Sequence, residues 1–134
     1  MKQSRNICAA APVVIVIDDD AAVRGSLKFA LETEGIAVRT YSTGAELLDE
    51  PGLATFACFV VDHKLPGMTG LDLVAALRKR QITAPAILIT SHPTILLQER
   101  AARAGIPIIE KPLLGNTLFE RVRDAIARRR PTVM

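Results

Sequence analysis

Hydrophobic positions along this chain follow two alternating rhythms. Val13-Val14-Ile15-Val16-Ile17 is apolar at every position, as a strand buried on both faces of a parallel sheet should be, and Phe56–Val61, Ala86–Ile89 and Ile106–Ile109 read the same way. Ala37–Tyr41 alternates apolar with polar and reads as an edge strand. Between these runs the spacing is helical. Val23, Leu27, Ala30 and Leu31 share one face of a helix stopped by Gly35, and a short helix over Ala45–Asp49 is opened by Ser42-Thr43 and broken by Pro51-Gly52. After the loop His63–Gly70, which contains Pro66-Gly67, a helix is expected to bury Leu71, Val74, Ala75 and Leu77. Another spans Thr94–Ala104 and stops at Gly105, and a last one spans Leu114–Arg129 with the stripe Leu118, Val122 and Ile126. Five strand–helix units with short connections predict an α/β domain with a doubly wound, five-stranded parallel sheet and helices on both faces.

A chain of 134 residues suits one domain. The expected boundaries are an N-terminal extension over 1–12, the domain over 13–130 and a tail over 131–134, with no effector domain. With 49% hydrophobic residues but only 4% aromatic, the core must be aliphatic. The net charge is +3, and the basic clusters Arg78-Lys79-Arg80 and Arg128-Arg129-Arg130 fall where helices should end, complementing the helix dipole. No aromatic residues interleave them, so direct nucleic-acid binding is not expected. Cys8 and Cys58 match no metal or redox spacing, and Cys58 falls in an apolar run as a small core residue. No signal peptide or membrane-spanning run is found, which makes the reducing cytoplasm the expected location.

In a doubly wound sheet the functional crevice lies at the carboxyl ends of the strands. Here the first strand ends in Asp18-Asp19-Asp20, the third in Asp62, the fourth in Thr90-Ser91 and the fifth in Glu110-Lys111-Pro112. Singly each has a plain reading: Asp20 as a helix N-cap, Thr90 as a strand-end hydroxyl, Lys111 as a solvated cation. Their joint occurrence departs from chance. Carboxylates from Asp18, Asp19 and Asp62 within a few ångströms would repel by about 4 kcal/mol per contact at an effective dielectric near 20. Either their pKa values rise or a cation sits among them, and hard oxygen ligands without His or Cys favour Mg²⁺, or Mn²⁺ in its place. Lys111 can pair with a phosphoryl oxygen and Thr90 can donate a hydrogen bond to another, leaving Asp62 as the nucleophile that forms an acyl phosphate.

Val16-Ile17-Asp18-Asp19-Asp20, the loop Asp62-His63-Lys64-Leu65-Pro66-Gly67-Met68-Thr69-Gly70, the step Ile89-Thr90-Ser91 and Glu110-Lys111-Pro112 together resemble the receiver domain of bacterial two-component response regulators, over about Val13 to Ile126. The resemblance implies the flavodoxin-like strand order 2-1-3-4-5 and phosphorylation of Asp62. It implies Asp19, Asp62 and the Lys64 main-chain carbonyl as direct Mg²⁺ ligands and Asp18 as a ligand through water. Thr90 and Lys111 are its phosphoryl contacts, the Lys111–Pro112 bond is commonly cis, and Lys64 and His92 occupy positions that tune the lifetime of the phosphoryl group. The partners it implies are a sensor histidine kinase or phosphotransfer protein upstream and a protein target downstream, with no contact to nucleic acid or membrane. Two features depart from the family pattern. Ile108 stands where an aromatic switch residue is usual, and Gly105 to Lys111 is one residue shorter than usual, with Pro107 inside it.

Two other readings use the same residues. A haloacid-dehalogenase-type phosphatase carries its nucleophile on the first strand with an acid two residues on, as Asp18 and Asp20 would be, but needs a further acidic motif after the lysine. Only Glu120 and Asp124 follow, both in the last predicted helix, and Asp62 goes unused. A receiver-like scaffold that is never phosphorylated is the other.

Overall fold

The computed structural model describes residues 12–113 and 115–129. The central sheet is built from β1 (Val13–Ile17), β2 (Ala37–Tyr41), β3 (Cys58–Asp62), β4 (Ala86–Thr90) and β5 (Ile108–Glu110), all parallel, in the order β2-β1-β3-β4-β5. The helices are α1 (Ala21–Thr33), α2 (Gly44–Leu48), α3 (Gly70–Lys79), α4 (Ile95–Arg103) and α5 (Thr117–Arg129). The predicted fold class and strand order are those observed.

Successive side chains of a strand face opposite ways, and the core divides accordingly. Ile15, Ile17, Phe59, Val61 and Leu88 face α2, α3 and α4, meeting Leu47, Leu73, Leu77 and Leu97. Val14, Val16, Val60, Ile87 and Ile89 face α1 and α5, meeting Leu27, Leu31, Leu118 and Val122. Burying an aliphatic side chain of this size contributes about 1.5–3 kcal/mol, so β1, β3 and β4, buried almost throughout, anchor the domain. Cys58 belongs to this core, and burial pushes its thiol up to about 12, which leaves it without nucleophilic character at neutral pH.

Several boundaries and stripes differ from the expected ones for identifiable reasons. Leu73, not Ala75, lies in the α3 stripe, because Gly70, Leu73, Val74 and Leu77 form the face turned to the sheet and leave Ala75 exposed. In α1 the buried residues are Leu27 and Leu31, and Ala30 is exposed. β3 starts at Cys58, since Leu53–Thr55 forms a 3₁₀ turn that delivers Phe56 and Ala57 still outside the ladder. β5 starts at Ile108 because the Ile106 N–H turns back to the Ala101 carbonyl of α4 and Pro107 has no N–H to give. α5 starts at Thr117, after Gly115 in the left-handed region at φ +69, while Leu114 and the termini 1–11 and 130–134 lie outside the described residues. The loop 63–70 contains a small hairpin pairing Lys64–Leu65 with Met68–Thr69 across Gly67, whose φ of +78 only glycine adopts freely.

Helix starts follow their caps. Asp20, Thr43, Thr69 and Thr94 each accept backbone N–H bonds of the helix that follows, and Thr69 forms a capping box with Asp72. At the end of α3, Arg78 donates to the carbonyls of Ile82 and Ala84, and Arg80 donates to that of Leu48. Arg78 thus ties down the connection between α3 and β4, and Arg80 the last turn of α2. No helix among the described residues is long and apolar enough to cross a membrane.

The start of α3 is pressed against the end of β3. A Cβ on Gly70 would come within 2.8 Å of the Asp62 carbonyl, 2.6 Å of a Leu88 methyl and 3.0 Å of the His63 Cα. Backbone atoms cannot yield as a side chain can, so Gly70→Ala is expected to destabilise the domain by about 1–3 kcal/mol. Urea denaturation of the variant beside wild type checks this, and an unchanged midpoint would show that the approach is looser than the structure has it.

Candidate functional site

Register assembles the site. Ile17 pairs with Val61, so Asp18 and Asp62 leave adjacent strands side by side. Asp62 pairs with Ile89, which sets Thr90 one residue beyond it, and Thr90 pairs with Glu110, which sets Lys111 beyond that. The Lys111 N–H donates to the Thr90 carbonyl at 2.9 Å and locks the last step. The Lys111–Pro112 bond is cis.

These strand ends floor a cleft of about 480 Å³ lined by Asp18, Asp19, Asp62, Lys64, Thr90, His92 and Lys111, together with Asp20, His63, Ser91, Thr94 and Leu97. Every predicted site residue except Ile108 is therefore brought together. Ile108 is half-buried and lines a separate groove between β5 and α4, with Ala101, Ala102 and Ile106. Asp18, Asp62 and Thr90 are 1%, 6% and 4% exposed, and they are the buried polar residues among those described.

Lys111 Nζ lies 3.3 Å from Asp18 Oδ2 and 3.5 Å from Asp62 Oδ2, one ammonium serving two carboxylates. Asp18 Oδ1 also accepts the Asp20 N–H at 2.9 Å, and Asp62 Oδ1 accepts the Lys64 N–H at 3.4 Å. Thr90 Oγ1 accepts the His92 N–H at 3.4 Å, leaving its hydroxyl hydrogen to donate elsewhere. Asp20 Oδ1 accepts the N–H groups of Ala22 and Val23, which makes it the N-cap of α1 as expected.

Asp18, Asp19 and Asp62 each offer a carboxylate oxygen, and these oxygens lie within 4.8 Å of one another. A donor set of hard, anionic oxygens without nitrogen or sulfur fits Mg²⁺ or Mn²⁺. The electrostatics agree with that fit. Burial pushes the Asp62 carboxyl above the usual carboxylate range and the Asp18 charge pushes it the same way, while Lys111 and the Lys64 N–H pull back without cancelling the rise. For Lys111, burial disfavours the charged form, but the Asp18 and Asp62 carboxylates outweigh it and raise its pKa.

Two features went unread in the sequence. Arg24 donates from Nη1 to the Asp18 carbonyl at 2.6 Å, a contact foreshadowed only by its place one turn beyond the acidic run. His63, next to Asp62, has a buried Nδ1 with no hydrogen-bond partner, and burial holds its imidazole below the ordinary histidine range. No sequence signal distinguishes that histidine from an ordinary loop residue.

Residues 14–123 match the family model described as the response regulator receiver domain. The chain belongs to that family. This receiver is 36% identical over 117 residues to the C4-dicarboxylate transport transcriptional regulatory protein DctR of Rhodobacter capsulatus, the match covering 85% of this chain and 59% of that protein. It is 34% identical over 120 residues to the transcriptional regulatory protein FixJ of Bradyrhizobium diazoefficiens, covering 88% of this chain and 58% of the relative. Among solved structures, the receiver domain of the Francisella response regulator 1452 superposes with a TM-score of 0.81 at 26% identity, covering 89% of this chain and 99% of that one. The receiver thus spans just under three fifths of these curated relatives and nearly the whole of the isolated domain. Accepting a phosphoryl group is general to the family, which consists of two-component signalling domains that bind Mg²⁺ at an acidic pocket.

The raised Asp62 pKa fixes the sign of a pH effect. The folded receiver holds the Asp62 proton to higher pH than the unfolded chain does, so this group's contribution to stability is greatest below the unfolded carboxylate pKa and is lost as pH rises through the folded value. Asp62→Asn, which keeps the shape without titrating, is expected to raise the melting temperature of metal-free protein at neutral pH. The gain should shrink toward zero as pH falls into the carboxylate range. Thermal melts in chelator across that range check it, and a variant less stable than wild type at pH 7 would show that Lys111 overcompensates the burial.

Proposed function

We propose that this domain is a phosphoacceptor switch that takes a phosphoryl group on Asp62 from a phosphohistidine of a sensor kinase or phosphotransfer protein, and passes the signal on by protein–protein contacts. The observation that carries this reading is the Asp62 carboxylate on the cleft floor, with the Lys111 ammonium 3.5 Å away and oxygens of Asp18 and Asp19 within 4.8 Å. An Asp62 oxygen forms the bond to phosphorus as the bond from phosphorus to the donor's imidazole nitrogen breaks, and an acyl phosphate results. Lys111 then pairs with a phosphoryl oxygen instead of with carboxylate, and the Thr90 hydroxyl donates to another. Asp19, Asp62 and the Lys64 main-chain carbonyl are the direct ligands in this reading, with Asp18 acting through water. Bound there, Mg²⁺ (or Mn²⁺) supplies positive charge against the phosphoryl oxygens.

The domain's own chemistry is limited to catalysing this transfer and the slow hydrolysis that ends it. The cytoplasm, where kinase and target reside, is its proposed location. DctR and FixJ are named as transcriptional regulators and are longer than this chain, but the reading assigns no nucleic-acid contact to the receiver itself. The cations Arg78 and Arg80 donate to main-chain carbonyls of Ile82, Ala84 and Leu48.

Incubation with Mg²⁺ and a small acyl-phosphate donor, followed by intact-mass spectrometry, is expected to show a gain of one phosphoryl group in wild type and none in Asp62→Asn. Labelling of the variant as strong as wild type would remove Asp62 as the acceptor, and no labelling of either would favour an unphosphorylated scaffold.

Lys64 and His92 both line the cleft that holds Asp62, on the segments after β3 and β4. In this reading they crowd or orient an attacking water, whereas Asp20 serves as the N-cap of α1. Dephosphorylation of Lys64→Ala and His92→Ala is expected to differ from wild type by several-fold, with each substitution leaving the melting temperature nearly unchanged. Lifetimes equal to wild type in both would take the two residues out of the hydrolytic step.

A further inference from the structure

Within the acidic cluster, Asp19 is the member whose carboxylate has no partner among the described residues. Asp18 accepts the Asp20 N–H and pairs with Lys111, and Asp62 pairs with Lys111 and accepts the Lys64 N–H. Among the described residues no group hydrogen-bonds to, or pairs with, the exposed Asp19 carboxylate. Its direction is therefore inherited from the main chain, and specifically from the peptide unit that joins it to Asp18.

That peptide is gripped by Arg24. The guanidinium donates to the Asp18 carbonyl at 2.6 Å, and the Arg24 backbone N–H donates to the Asp20 carbonyl at 3.0 Å, so one residue ties the turn on both sides of Asp19. The Asp18 N–H, bonded to the Tyr41 carbonyl at 3.2 Å, fixes the near end of the turn. A charge-assisted bond from a planar, pre-organised guanidinium is stronger and more directional than a neutral one. If the carbonyl were released, the peptide plane would be free to rotate about Asp18 ψ and Asp19 φ, and the Asp19 side chain would swing with it. Arg24 reaches this point because the Asp20 cap starts α1 there, which sets residue 24 one helical turn along.

We propose that Arg24 is a positioning residue of the phosphoacceptor site, fixing the Asp18–Asp19 peptide and thereby aiming the Asp19 carboxylate into the acidic cluster. The inference rests on the phosphoacceptor reading above. It opposes the simpler view that Arg24 merely balances the negative charge of the turn. Under charge balance, removing the cation makes the cluster more attractive to a divalent ion. Under positioning, removal loosens a ligand and weakens binding, in the way that loss of a residue supporting a metal ligand costs roughly ten- to a hundredfold in affinity. The two views differ in sign.

The test compares the wild-type chain with Arg24→Met and Arg24→Gln, which both remove the charge, and with Arg24→Lys, which keeps it without the fork. Amide hydrogen exchange of metal-free protein is expected to quicken at Asp20, whose N–H is bonded to Asp18 Oδ1, in the neutral variants while β1 amides stay protected. The Mg²⁺ Kd should rise roughly tenfold or more in Arg24→Met and Arg24→Gln, with Arg24→Lys between them and wild type. At saturating Mg²⁺ the rate of Asp62 phosphorylation should return to the wild-type value, a recovery that general structural damage would not allow. Unchanged or tighter Mg²⁺ binding in the neutral variants, or wild-type exchange at Asp20, overturns the inference. Wild type that neither binds Mg²⁺ nor takes a phosphoryl group sinks the phosphoacceptor reading itself, and is thereby told apart from failure of the Arg24 inference alone.

Discussion

Asp18 and Asp62 stand side by side at the ends of adjacent parallel strands, and one ammonium, Lys111, at 3.3 and 3.5 Å, holds both. The arrangement is electrostatically poor by design of the sheet. Two buried carboxylates share a single cation, and burial together with mutual repulsion leaves the Asp62 carboxyl reluctant to ionise. Such a cluster gains by admitting more positive charge, and it sits open to a cleft through which that charge can arrive.

What keeps the carboxylates from moving apart is the hydrocarbon behind them. Ile17, Val61 and Ile89, the residues immediately before Asp18, Asp62 and Thr90, are at most 1% exposed, and strands β1, β3 and β4 contribute to both halves of the core. A shift of any strand end would drag fully buried aliphatic side chains out of packing, at about 1.5–3 kcal/mol each. The repulsion at the site is thus held by packing that lies outside it. Gly70 extends the same logic to α3, whose first turn lies so close to the Asp62 carbonyl that no side chain fits between.

Much of this was legible from residue order. The continuous apolar runs of β1, β3 and β4 announced strands buried on both faces, and the polar residue following each one marked the strand ends as the place to look. Parallel topology then did the assembling, since it sends every carboxyl end to one edge. The remainder depended on contacts that a one-dimensional pattern does not carry. Ala75 and Leu73 are both apolar, and only the α3 cap at Thr69 decides which faces the sheet. Ile106 reads as strand until its N–H is seen to close the end of α4. Arg24 reads as one more surface cation until its guanidinium is found on the Asp18 carbonyl.

Ile108 shows how far the site and its surroundings are separable. It pairs with Leu88 in the ladder and faces a groove of about 380 Å³ bounded by Pro93, Ala101 and Ala102, away from the cleft that holds Asp62 and Lys111. A β-branched residue on a strand has few χ1 wells, so it cannot move between buried and exposed positions as a ring can. The connections from the cleft toward α4 run instead through Thr90 and the segment that follows it. Thr90 holds Lys111 through its carbonyl and His92 through its hydroxyl oxygen, and two residues further on Thr94 caps α4. The strand ends that carry Asp62 and Lys111 and the start of α4 are thus joined by one short stretch of chain, residues 91–94.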